Sequence, residues 1–138
     1  MMPEVAQLRD FAKRYTAAWC SRDAARVAAF FASNGSLSVN SALAAGRGAI
    51  AEVAQGFMTA FPDMELRMDD VRIKADRAVY HWTFIGTNTG PGGRGHRVRF
   101  SGFEVWKIGK DGLIAESQGH FDSDDYQRQI ERGVEESR

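Results

Sequence analysis

The chain has 138 residues, with Lys plus Arg and Asp plus Glu balanced at 18 each and one cysteine, Cys20. That length suits one domain, 1–138, large enough to bury a core without staples. The missing basic excess excludes an electrostatic surface for nucleic acid or anionic membrane. A lone cysteine excludes an internal disulfide and a cysteine-cluster metal site. The opening M-M-P-E-V-A-Q-L-R-D has no cationic region or long apolar run, so no signal peptide is expected. No stretch approaches the roughly 20 apolar residues of a membrane span, and the default expectation is a soluble cytoplasmic protein.

Val5, Leu8, Ala12, Tyr15 and Trp19 recur at steps of three and four and predict an amphipathic helix of roughly four turns. Ser21 or Asp23 can cap a second, shorter helix carrying Val27, Phe30 and Phe31, which Asn34-Gly35 would end. A short strand, Ser36 to Asn40, follows. A third helix places Ile50, Val53, Phe57 and Phe61 on one face, and Pro62 stops it because proline lacks the amide hydrogen.

After Pro62 the period changes to two. Met64, Leu66 and Met68 alternate with charged residues, and Val71 and Ile73 continue with the opposite parity, which predicts a bulge at Asp69-Asp70. Ala75-Asp76-Arg77 turns into a strand from Ala78 to Asn88. The run G-P-G-G-R-G, 90–95, reads as a mobile lid or hairpin tip, since it lacks the context and Lys-Ser/Thr of a phosphate loop. Arg97 to Ile108 is a long strand, and Lys110-Asp111-Gly112 turns into the last one. A short polar helix, Asp124 to Glu135, ends the chain. Helices followed by long antiparallel strands indicate an α+β fold with helices packed on a curved sheet.

The last strand, Glu116 to Asp122, carries the candidate chemistry. Alternation puts Gln118, His120 and Asp122 on one face, an arrangement suited to the polar wall of an apolar pocket where a carboxylate and an imidazole move protons. The competing reading is a solvent-facing strand end, with Asp122 capping the terminal helix. Glu104 shares parity with Phe100 and Trp106. Facing inward it would be buried and need a partner; the expectation is that it faces outward, to a salt bridge or subunit surface. His81, among apolar neighbours, reads as structural. Tyr15, Trp19, Phe30, Phe57, Phe61, Trp82 and Phe103 are the expected lining. The histidines lack metal-ligand spacing, and no Ser or Cys sits in a nucleophile motif.

The collinear series F-P-D at Phe61–Asp63, W-T-F-I-G-T-N-T-G-P at Trp82–Pro91 and G-F-E-V-W-K-I-G-K-D-G-L-I-A-E at Gly102–Glu116, then F-D and Y-Q-R-Q-I, resembles the SnoaL-like family. That family belongs to the nuclear-transport-factor-2-like superfamily, with the ketosteroid isomerases and limonene epoxide hydrolases. The resemblance implies a cone: a bent antiparallel sheet wrapped around helices over a deep hydrophobic cavity. It also implies that Asp122 matches the general acid/base of polyketide cyclases, followed by a matching Gln129. Three departures stand against a full transfer: Asn40 near the isomerases' catalytic Asp, Asn88 where many relatives have histidine, and Gln118 in place of a frequent Trp.

The implied activity is cofactor-free acid–base chemistry of cyclase or isomerase type on a small hydrophobic carbonyl compound. Its expected catalytic residues are Asp122 and His120, and its expected binding residues are Tyr15, Trp19, Phe57, Phe61, Trp82, Phe103 and Gln118. A non-catalytic pocket or association module of the same fold is the alternative. No metal, nucleic acid or membrane partner is implied, and a homodimer through the sheet is.

Overall fold

A computed structural model describes residues 4–134. The opening Met1 to Pro3 and the expected helix end at Glu135 lie outside that range. The chain runs α1 (Val5–Cys20), α2 (Ala24–Ala28), β1 (Phe31–Val39), β2 (Ala42–Ala45), α3 (Arg47–Ala60), β3 (Glu65–Lys74), β4 (Arg77–Thr87), β5 (Arg97–Ile108), β6 (Ile114–Phe121) and α4 (Ser123–Arg132). The six strands form one curved sheet in the order β2-β1-β6-β5-β4-β3. All neighbours are antiparallel except β1 and β6, which run parallel. The sheet is therefore mixed, a correction to the purely antiparallel expectation. Among the described residues no helix is long and apolar enough to cross a membrane.

The apolar stripe of α1 is buried from Leu8 through Ala12 and Tyr15 to Trp19, whereas Val5 at its start is exposed. Tyr15 meets Phe30, Tyr80 and Trp106 edge-on, and Tyr80 stacks on Trp106 with centroids 4.8 Å apart. Such edge and stacked contacts add to the area term of aromatic burial. The bulge falls where the alternation changes parity, as a register shift between Met68 and Asp70.

Two local expectations are corrected, one strand is added, and the glycine-rich loop takes the hairpin-tip form of its two readings. The second helix stops at Ala28, because Phe31 pairs with Ile114 of β6 and the Ile114 amide donates to the Phe30 carbonyl. Asn34-Gly35 is consequently inside β1, at an irregularity in the pairing, where a Cβ on Gly35 would fall 2.9 Å from the Ile114 carbonyl oxygen. The four-residue strand β2 carries too short a pattern to be read. Asn40 and Ser41, with φ of 48° and 74°, form the tight turn into it. The glycine-rich loop is a hairpin tip docked on α3. Gly90 N–H and Asn88 Nδ2 both donate to the Ala60 carbonyl at 3.2 Å, and a Cβ on Gly90 would meet the Thr59 carbonyl oxygen at 2.1 Å.

Candidate active site

The concave face of the sheet and helices α1 and α3 enclose a cavity of about 60 Å³. Its wall draws Trp19 from α1, Phe57 from α3, Trp82 from β4, Phe100 and Glu104 from β5 and Phe121 from β6. Two glycines on the inward face of the strands make room. Gly119 lies opposite Glu104 and lines the cavity. At Gly102 the Trp82 ring occupies the place of a side chain, since a Cβ there would sit 2.6 Å from Trp82 Cζ2. Phe57 and Phe121 are half-buried and mark where the wall meets the surface.

One carboxyl stands in this wall. Glu104 is 7% exposed. Its Oε1 accepts from Ser117 Oγ at 2.7 Å, Trp106 Nε1 at 3.0 Å and Tyr15 OH at 3.0 Å. Oε2 has only a longer contact, 3.2 Å, from the same tyrosine hydroxyl. Burial pushes the Glu104 carboxyl above its ordinary value of 4.5, outweighing the hydrogen bonds from Trp106, Ser117 and Tyr15 that favour the charged form. Burial and the neighbouring Glu104 charge push the Tyr15 hydroxyl well above 10.0, so it stays a donor at any working pH. The Trp19 indole lies close enough to the Tyr15 hydroxyl to oppose that rise in part, yet its N–H makes no bond of acceptable geometry.

The inward position of Glu104 corrects the outward expectation. The reason is register: on β5 its parity mates Val98, Phe100, Trp106 and Ile108 are all buried, and one charged residue follows its strand inward. The same register takes β6 to the solvent-facing one of its two readings. Ser117, Gly119 and Phe121 face the interior, while Gln118 and His120 are exposed on the outer face. Asp122 is also exposed and caps α4, its Oδ1 accepting from the Asp125 amide at 3.0 Å. Thus neither Asp122 nor His120 stands in the cavity wall.

Of the other expected site residues, Trp19, Phe57 and Trp82 line the cavity. Tyr15 is fully buried and reaches the site through Glu104. Phe30 is half-buried against Phe11 and Tyr15. Phe61 packs on Phe84 and Tyr126. Phe103, 37% exposed, lies on the outer face between His81 and His120. Asn40 caps the end of β6, accepting from the Phe121 amide at 3.0 Å. Gln129 is buried for a structural reason: its Oε1 accepts from the Arg99 amide of β5 at 2.6 Å, beyond the reach of β6. Sequence reasoning undervalued Glu104 and missed its partner Ser117. A single acid on an otherwise apolar parity was the available signal.

A curved sheet wrapped over helices, with an apolar cavity and, among the described residues, one buried carboxyl, defines a small cone-shaped α+β pocket protein. The chain belongs to the SnoaL-like domain family, whose sequence profile matches residues 12–117. Among solved structures it resembles a candidate SnoaL-like polyketide cyclase from Jannaschia sp. CCS1, with TM-score 0.81, 15% identity, and coverage of 97% of this chain and 98% of that one. TsrD from Streptomyces laurentii gives TM-score 0.80 and 21% identity over 94% and 98% of the two chains. A protein with a ketosteroid isomerase-like fold from Catenulispora acidiphila DSM 44928, solved in complex with trimethylamine, gives 0.77 and 13% over 88% and 92%. At these identities the likeness is one of fold. No curated protein sequence gives a significant match.

Proposed function

We propose that the protein admits a small hydrophobic carbonyl compound to the apolar cavity and performs cyclase- or isomerase-type proton transfer on it, with Glu104 as the general acid/base. The observation that carries this is Glu104: a buried carboxyl in an apolar wall, with one oxygen held by three donors and the other nearly free. Desolvation makes its charged form a stronger base than a solvated carboxylate. In that form Oε2 takes a proton from the carbon next to the carbonyl, giving an enolate and a neutral acid. Returning the proton to another carbon completes an isomerisation; attack of the enolate on a second carbonyl closes a ring, and the acid then protonates the new alkoxide. The apolar wall excludes water that would compete for either proton.

The test is exchange of the α-hydrogens of small cyclic ketones with heavy water, followed by proton NMR. Wild type is expected to accelerate exchange, and Glu104→Gln to lose about 100-fold or more of that acceleration. Retention of exchange by Glu104→Gln, with its loss in Asp122→Asn, would return the chemistry to the strand end. A second reading, binding without chemistry, draws support from Glu104 being, among the described residues, the sole titratable side chain on the cavity wall. Ketone binding without exchange would establish it. Two copies are further proposed to pair through the outer face of the sheet, around the row His81, Phe103 and His120.

A further inference from the structure

Among the described residues, the cavity wall carries a large side chain at every position but one, Gly119 of β6. A glycine inside a strand gives up packing and costs ordering entropy, so its presence there needs a reason. Backbone conformation is not the reason, because Gly119 lies within the strand and is not among the glycines of positive φ. Want of room explains the other three strand glycines. A Cβ on Gly35 would fall 2.9 Å from the Ile114 carbonyl oxygen, one on Gly86 3.1 Å from Phe61 Cβ, and one on Gly102 2.6 Å from Trp82 Cζ2. A Cβ on Gly119 would stand 3.7 Å from Glu104 Cγ and 3.2 Å from the Ser38 carbonyl oxygen, which has to give by a few tenths of an ångström at most. The fold itself fills the side-chain space at Gly35, Gly86 and Gly102. At Gly119 that space is left to the cavity, beside the buried carboxyl.

We propose that Gly119 is the specificity-determining residue of the cavity: the space left by its missing side chain receives the ligand carbon next to the carbonyl. This deepens the proposed function and rests on its ligand class. Gly119 pairs directly with Glu104 across β5 and β6, and side chains so paired on one face lie within reach of each other. A side chain at 119 would therefore pack along Glu104 and hold a ligand away from it. The bare strand is also a fixed surface, since the Gly119 carbonyl accepts from the Asn40 amide at 2.9 Å. Bulk at 119 and bulk on the ligand compete for one space, so this residue sets the largest ring that reaches the carboxyl. The selectivity is steric, and a single methylene in an apolar pocket is worth about 10- to 200-fold in discrimination.

The experiment compares cyclopentanone with cyclohexanone on the full chain, taking dissociation constants from NMR shift titrations and turnover from hydrogen exchange. Gly119→Ala is expected to weaken cyclohexanone about 10-fold more than cyclopentanone and to slow exchange of the ketone still bound. Val39→Ile adds one methylene elsewhere on the same wall and is expected to weaken binding without slowing exchange of bound ketone. General destabilisation lowers both ketones alike and leaves their ratio unchanged. Wild type supplies a measurement that needs no variant to fold: nuclear Overhauser contacts are expected between bound cyclopentanone and the Gly119 α-hydrogens. An unchanged ketone ratio in folded Gly119→Ala overturns the role of Gly119, as does absence of those contacts at saturating ketone. Complete absence of ketone binding removes it together with the ligand class. The acid–base reading fails separately: a changed ratio and the contacts, without hydrogen exchange, remove Glu104's role and leave Gly119 standing. Exchange in wild type with an unchanged ratio does the reverse.

Discussion

The two faces of β4, β5 and β6 use the same residue types under opposite rules. On the outer face, His81 pairs in register with Phe103, and Phe103 with His120, giving a ring row that crosses three strands with Phe103 37% exposed. Polar atoms there find water, so nothing else has to be arranged for them. On the inner face the neighbouring residue, Glu104, is 7% exposed and is held by donors from α1, β5 and β6. A polar group outside a sheet is compatible with many neighbours, whereas one inside dictates its neighbours. The inner face is therefore where the fold has committed residues to something besides packing.

The contrast is broken most severely by Glu104→Ala. Removing the carboxyl orphans the Ser117 hydroxyl, the Trp106 indole and the Tyr15 hydroxyl at once and leaves a void beside Gly119. A loss on the order of 3–5 kcal/mol is expected by urea unfolding. A loss under about 1 kcal/mol would mean that the three donors find other partners.

A smaller effect should follow pH. Burial raises the Glu104 carboxyl above 4.5 in the folded chain, so between that value and its folded value the native state binds more protons than the unfolded state. Stability from this group is complete at the acid end of the window and falls as pH rises through it. Two other carboxyls act in the opposite sense but at lower pH. Asp63, despite partial burial, is held below 3.8 by hydrogen bonds from Thr87, and Asp70 is held below 3.8 chiefly by Arg72. Their contribution is present above 3.8 and lost on acidification. The unfolding midpoint of wild type is thus expected to decline from about pH 5 upward, and Glu104→Gln to flatten that decline. A profile identical in the two proteins would show that Glu104 titrates as it does in the unfolded chain.

How far the sequence could be read follows from the same two faces. Period-two alternation identifies which residues share a face but not which face is inside, and a one-residue difference exchanges the two sets. Hence β5 was legible to the residue, Arg97–Ile108, while the orientation of Glu104 and of Gln118, His120 and Asp122 was not. The deciding information is long-range: Gly119 opposite Glu104, and Trp82 over Gly102. Helix α1 and the Asp69 bulge were legible because their signals are local. The end of α2 was not, because pairing of Phe31 with Ile114 draws the chain into the sheet against a helical pattern that otherwise continues.

The smallest effects belong to the outer face, and two positions of β6 on opposite faces make the sharpest comparison. His120→Ala removes a ring that touches Phe103 at a 5.0 Å centroid distance and is exposed, so the folded monomer should lose no more than about 0.5 kcal/mol. Ser117→Ala, three residues away on the opposite face, deletes a 2.7 Å hydrogen bond to a buried carboxyl and should cost about 1–2 kcal/mol. If the outer row is also where two copies meet, His120→Ala and especially Phe103→Ser should lower the apparent mass in sedimentation equilibrium while leaving ketone exchange intact. Ser117→Ala should do the opposite, sparing assembly and altering the exchange rate through Glu104. A variant of the outer row that abolishes exchange without changing mass would mean that the two faces are not independent, and the separation of packing surface from chemical surface would have to be given up.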